Sequence, residues 1–174
     1  SARRQDFRLR PSPPRTGVVV DAAGKPVPNA EVLTATPTAQ VSLSSDHGNH
    51  AVKTDAAGRF EFPDPGEPWA VVARSDAGVA FADAPADRAD AGTLTLRPWA
   101  SVSGRFVDGG KPVKGATVLA HPIRLDRRDG PRVQALFEAE TDADGRFAFP
   151  KLPPGPVSVS VHLGPWSDPG FRSG

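Results

Sequence analysis

Cysteine and methionine are both absent from the 174 residues. Without cysteine no disulfide can staple the chain, and no thiol can act as nucleophile, metal ligand or redox centre. The missing methionine includes the initiator, which points to a processed chain or an excised piece. No run of about 18 apolar residues occurs, the length a spanning helix needs. The opening SARRQDFRLRPSPPR also lacks the apolar centre of an export signal, so no direct membrane insertion is expected. An excess of one charge is missing too. The 21 basic and 20 acidic side chains leave a net charge of +1, too little to draw the chain onto nucleic acid.

What is plentiful is breakers. With 20 prolines and 17 glycines against 38% hydrophobic residues, long helices are interrupted too often, and short strands joined by turns are expected. The strongest signal is an internal repeat. TGVVVDAAGKPVPNAEVLTA, from Thr16, matches SGRFVDGGKPVKGATVLA, from Ser103, with Gly17 over Gly104 at a separation of 87 residues. TDAAGRFEFP, from Thr54, matches TDADGRFAFP, from Thr141, at the same separation of 87. The first turn is one residue shorter in the second copy, and the register recovers afterwards. At that offset FRLRP (residues 7–11) lies over LTLRP (residues 94–98).

Apolar residues recur two apart, as on strands with one buried face. Ala30 and Val32, with Val27 before a short turn, fit one inward face, as do Ala116 and Val118 with Val113. Phe60 and Phe62, Phe147 and Phe149, and Val157, Val159 and Val161 continue the pattern. Each such side chain, fully buried, contributes roughly 1.5–3 kcal/mol. Trp69 opens an alternating strand with Val71 and Ala73 and is expected in the core.

The pattern G-x-V-x-D-x-x-G-x-P-V-x-x-A-x-V, then T-D-x-x-G-x-F-x-F, then L-P-P-G before an alternating strand, resembles the carboxypeptidase regulatory-like domain. The first copy carries it at Gly17, Val19, Asp21, Gly24, Pro26, Ala30, Val32, Thr54, Asp55, Gly58, Phe60 and Phe62. The second carries it at Gly104, Phe106, Asp108, Pro112, Ala116, Val118, Thr141, Asp142, Gly145, Phe147, Phe149 and residues 152–155. The copies depart from it at DPGEPW, where the first would have LPPG, and at DGGKP, where the first reads DAAGKP. The resemblance implies an all-β fold of two tandem small prealbumin-like (Ig-like) Greek-key β-sandwich domains. Residues 1–13 are expected to hold the last strand of a preceding repeat plus a linker, residues 14–98 the first sandwich and residues 99–174 the second. The second is expected to lack its last strand and to be the less stable of the two.

Candidate sites compete with plainer uses. In TDADG, Asp142 and Asp144 sit two apart before Gly145, as in calcium loops. The first copy has Ala57 at the second position and neither copy has a closing Glu, so a β-turn capped by its Asp is expected instead. His47 and His50, with Asp46 close by, offer two nitrogens and an oxygen to zinc, but a polar Ser/Asp/Gly/Asn stretch is what an exposed loop looks like. The loop RLDRRDGPR (residues 124–132) balances its arginines with Asp126 and Asp129 and reads as a solvated turn. No His–Glu–His zinc-peptidase spacing, nucleophile elbow or phosphate-binding glycine loop is present, so no enzyme, metal or cofactor is expected. Asn29 and Asn49 stand in turn or loop contexts, so no lysine–asparagine cross-link is expected.

Trp99 and Trp166 remain, and an aromatic face left in the open is how many sugar-binding surfaces stack on pyranose rings. Trp99 falls between the repeats, where it can instead wedge them together. Two function classes follow. The leading one is a non-catalytic spacer or protein-interaction repeat of a larger bacterial envelope or secreted protein, its partners being neighbouring domains of the same polypeptide. The alternative is a carbohydrate-binding accessory module, suggested by Trp69, Trp99 and Trp166, with Trp99 and Trp166 as its ligand residues and glycan or protein as partner. The extracytoplasmic location rests on the resemblance alone.

Overall fold

The computed structural model describes residues 12–45, 51–123 and 130–162. The regular elements of the first repeat are β1 (Arg15–Val20), β2 (Glu31–Ala35), β3 (Val41–Ser42), β4 (Ala51–Lys53), β5 (Arg59–Phe62), β6 (Trp69–Ser75), β7 (Gly78–Ala84) and β8 (Asp90–Thr95). Those of the second are β9 (Ala100–Arg105), β10 (Val107–Asp108), β11 (Lys111–Pro112), β12 (Thr117–Pro122), β13 (Val133–Gln134), β14 (Phe137–Glu140), β15 (Arg146–Leu152) and β16 (Val157–His162). No α-helix is present among the described residues, and none is long and apolar enough to cross a membrane. The chain is all-β, as its breakers and period-two rows predict.

In the first repeat a three-stranded sheet, β5-β1-β8, faces a four-stranded one, β4-β2-β6-β7. Val19, Val32, Phe60, Phe62, Trp69, Val71, Leu94 and Leu96 fill the space between them. Phe62 meets Trp69 edge-to-face, their rings 5.3 Å apart. The repeated Gly and Phe are one device. Gly17 pairs with Phe60 across β1 and β5, and Gly104 with Phe147 across β9 and β15. A Cβ on Gly17 would stand 2.5 Å from the Phe60 ring, and one on Gly104 2.6 Å from Phe147. Each ring lies over its glycine because no side chain is there to hold it off.

The matched T-D-x-x-G segment is a second device, and its geometry is the same in both copies. Thr54 Oγ1 accepts from the Ala30 amide (2.8 Å) and donates to Val27 O (2.7 Å). Thr141 does likewise with Ala116 (2.9 Å) and Val113 (2.7 Å). Both threonines are buried, so each hydroxyl satisfies a buried backbone N–H and a partly buried C=O. The one-residue difference at the first turn has a local solution. Asp21 Oδ1 caps a wider turn by accepting from Ala23 and Lys25, both at 2.9 Å. The second copy joins β10 to β11 through Gly109 and Gly110, with φ of 55° and 80°. A two-residue hairpin turn of that kind needs positive φ at both places, which glycine adopts without strain.

The second repeat pairs β15 with β9 and orders its other sheet β14-β12-β16. Val118, Ala120, Phe149 and Leu152 are its buried core. The row Val157, Val159 and Val161 corrects the sequence expectation. Val157 and Val161 are only half-buried, and Val159 is 41% exposed. In the first repeat β6 is flanked by β2 and β7, whereas β16 pairs only with β12 among the described residues. A strand at the rim of a sheet shelters its inward row less. Residues 7–11 and 163–174, on which the expected end strands fall, lie outside the described residues.

DPGEPW, the first copy's departure from the repeat pattern, has its own task. Arg15, 7% exposed, donates to Asp64 Oδ1 from Nη2 (2.7 Å) and Nε (3.1 Å), and to Ala86 O (2.7 Å). Asp64 also accepts from the Ser12 hydroxyl and from the Gly66 amide at 3.0 Å. The Ser12 hydroxyl and the Gly66 amide, with Arg15 behind them, hold the Asp64 carboxyl below its ordinary 3.8, against a smaller opposing effect of desolvation.

Two outcomes are expected. Thr54→Val or Thr141→Val strands a buried N–H and a partly buried C=O together, and urea denaturation should show a loss of about 1–3 kcal/mol for the repeat that carries it. A loss below about 0.5 kcal/mol in both would rule out the hydroxyl as the keystone. A lowered folded-state value means that Asp64 stabilises the fold above pH 3.8 and loses that effect as the pH falls through its folded value. The difference in melting temperature between wild type and Asp64→Asn should therefore be widest near neutrality and narrow in acid, and a difference constant with pH would contradict the ion pair's role.

Candidate functional site

β6 reads WAVVARS, and five of its seven residues in a row are buried. Trp69, Val71 and Ala73 face the first core. Ala70 and Val72 face the other way, where they join Leu33, Ala35, Val41, Leu43 and Val79 in a second apolar cluster. A sheet apolar on both faces must be covered on both. The cover comes from the second repeat: Ala135 is buried in this cluster, with Val133, Phe137 and Trp99 packed against it.

Backbone pairing seals the joint. β13 runs parallel to β3, with Val133 against Val41 and Gln134 against Ser42. The Val41 amide donates to Arg132 O (3.1 Å) and the Leu43 amide to Gln134 O (2.8 Å). The Arg132 carbonyl thus takes part in the contact, at the end of the loop that the sequence reads as a solvated turn. Residues 124–129 lie outside the described residues.

Beside the joint lies an open groove of about 740 Å³. Trp99 and Phe137 form its aromatic part, and Glu31, Lys53, Arg74, Asp76 and Lys151 its polar part. The half-buried Trp99 indole is fixed by its Nε1, which donates to Ser75 O at 2.8 Å. Arg74 Nε bonds Glu31 Oε2 at 2.9 Å, and Lys151 Nζ bonds Asp76 Oδ1 at 2.7 Å between the repeats. The Lys151 ammonium, by hydrogen bond and then by charge, lowers the Asp76 carboxyl below its usual range. Both groups of that pair are exposed, so water screens it and it adds little to stability. The arrangement offers a rigid aromatic face and fixed hydrogen-bonding groups. Among the described residues it gathers no group of three or more His, Cys, Asp or Glu that could hold a metal ion.

The other candidates resolve individually. Asp142 Oδ1 accepts from the Asp144 (2.9 Å) and Arg146 (2.8 Å) amides, which is a capped turn, and Asp55 does the same for Ala57 and Arg59, both at 2.8 Å. Trp69 is 0% exposed, and its Nε1 finds no acceptor among the described residues. Asp46, His47, His50, Asn49 and Trp166 lie outside the described residues. Sequence reasoning missed residues 133–137, whose short apolar alternation after Gly130 and Pro131 was the available signal.

No protein-family model matches the chain, and no curated protein matches it significantly. Among solved structures it is similar to the Bacillus anthracis TIE protein, at 14% identity and a TM-score of 0.31, over 87% of this chain. The chain spans 28% of that protein's length, and the superposition is too loose to define a shared function.

Trp99→Ala removes the aromatic wall of the groove and one hydrogen bond across the joint. For a half-buried tryptophan the expected cost is about 1–3 kcal/mol in thermal unfolding, below the value for a fully buried one. Amide exchange should accelerate at Val41 and Leu43 with no change at Thr54 or Thr141. Acceleration everywhere, or nowhere, would dissociate Trp99 from the joint.

Proposed function

We propose that this chain is a non-catalytic pair of spacer repeats, belonging to a larger bacterial envelope or secreted protein, that holds neighbouring domains at a fixed separation and angle. The observation that supports this most directly is the joint itself: an apolar sheet face covered by the next repeat and stitched by β3–β13 pairing. Loosely tethered domains meet through small polar contacts and move independently. Here the cluster around Leu33, Val72 and Ala135 is apolar and buried, and the backbone pairs across it. The resemblance to carboxypeptidase regulatory-like domains, prealbumin-like in fold, supports the same reading, because what the copies share is turns and core rather than a reactive constellation. It also supports an extracytoplasmic setting.

A carbohydrate-binding role is the second reading, favoured by one observation, the immobilised Trp99 indole beside fixed polar groups in an open groove. Trp166 remains part of that proposal. A glycan array probed with the wild type and with Trp99→Ala discriminates: binding lost in the variant promotes the second reading, and no binding leaves the spacer role.

Nitrogen-15 relaxation tests the spacer role directly. Both repeats are expected to report one rotational correlation time, and Ala135→Asp, which buries a charge in the joint, should split it into two shorter ones while each repeat keeps its own dispersion. Two independent times in the wild type would refute a rigid spacer.

A further inference from the structure

β7 and β8 are end strands of the two sheets of the first sandwich, and they meet at one point. The Val79 amide donates to Arg97 O and the Arg97 amide to Val79 O, both at 2.9 Å. Among the described residues no further pair joins the two strands. A continued antiparallel ladder would next set Phe81 against Thr95, two residues on along each strand. Backbone groups alternate in direction, and the Leu96 amide, between Thr95 and Arg97, bonds Val20 O on β1 at 2.8 Å. Thr95 therefore turns its amide away from β1, as Arg97 does, and Phe81 turns its amide away from β6, as Val79 does. The Phe81 N–H finds no strand partner there, which makes it a place for pairing with another chain.

A cleft of about 350 Å³ opens where the ladder stops. Ala80, Phe81, Leu94 and Arg97 line it from the first repeat, and Pro122 and the proline turn of residues 153–156 line it from the second. Phe81 is 40% exposed beside it. Val79 belongs both to this cleft and to the buried cluster of the joint, so the cleft continues an interface that the molecule already uses. Arg97, exposed, is the one charged residue on its lining among the described residues.

These features select an occupant. An edge amide is satisfied by a strand, apolar walls by apolar side chains at alternate positions, and a lone guanidinium by a carboxylate. The proline turn of the second repeat walls the same cleft, leaving room for one extended chain rather than for the edge of a folded domain. We infer that the cleft takes an extended peptide segment of a partner protein. The segment pairs with the edge of β7 at Phe81, sets apolar side chains against Phe81 and the proline turn, and places a carboxylate on Arg97. Main-chain hydrogen bonds give such strand additions their affinity, and the pockets for alternate side chains give them selectivity.

The inference rests on the docked arrangement of the spacer reading, because residues 153–156 reach the cleft from the second repeat. The two still fail apart: one rotational correlation time together with no peptide binding sinks the peptide site alone.

Titration of the full chain with the capped hexapeptide TVTVTD, followed by amide resonances, tests it. Saturable shifts are expected at Phe81 and Thr95, with a dissociation constant below about 1 mM, and exchange at the Phe81 amide should slow by about fivefold or more at saturation. TVTVTK should bind the wild type about two- to fivefold more weakly, the range of an exposed ion pair, and Arg97→Glu should reverse that preference. TVTVTD with its backbone amides N-methylated should not bind, a control that needs no variant of the protein. Absence of binding by TVTVTD overturns the proposal. So does equal binding of the N-methylated peptide, shifts that leave Phe81 untouched, or a preference between the two peptides that Arg97→Glu leaves unchanged.

Discussion

One sheet buried on both faces organises this molecule. β4-β2-β6-β7 cannot stand alone in water, because Val71 and Ala73 on one side and Ala70 and Val72 on the other would each expose an apolar surface. The inner face is covered by β5-β1-β8, which completes an ordinary sandwich. The outer face is covered by residues 133–137 and Trp99, which belong to the second repeat or its approach. Apolar area removed from water is worth roughly 25 cal/mol per Å², and here the same term that folds the first repeat also docks the second on it. Folding and docking are one interaction.

The second repeat is built on the same turns but not on the same sheet. Its outward positions on β12 and β16 include His121, Ser158 and Ser160, where the first repeat has Ala35, Ala70 and Val72, and Leu119, the counterpart of Leu33, is the apolar exception among them. A polar face is at home in water and needs no cover. The docking seen between the two repeats therefore has no equivalent surface on the second one, and the pair is directional, with an apolar acceptor face on one member only.

Charge contributes locally rather than globally. Arg15 and Asp64 join the start of β1 to the loop before β6, where burial keeps solvent from screening them. Asp76 and Lys151 span the repeats but stand in water, so they orient the contact more than they stabilise it. Asp142, weighed in the sequence as a calcium ligand, turns its carboxylate onto backbone amides two and four residues on, as Asp21 and Asp55 also do. Each spends its lone pairs on a turn, and that is sufficient reason for the residue.

The sequence by itself determined the all-β class, the two repeats, the Asp-capped turns and the inward rows of β2, β5 and β6. These are short-range properties: an Asp two residues before an amide, or a period of two. Only the tertiary structure decided that Ala70 and Val72 are buried as well, since a period-two reading of β6 finds one face and is blind to what covers the other. It also decided that Trp99 packs in a joint with its N–H on Ser75, that Arg15 meets Asp64 across 49 residues, and that Val159 stays wet although it sits in a perfect alternating row. Burial at those places depends on whether a second sheet or a neighbouring repeat arrives, and that is a fact of long-range packing which local sequence does not encode.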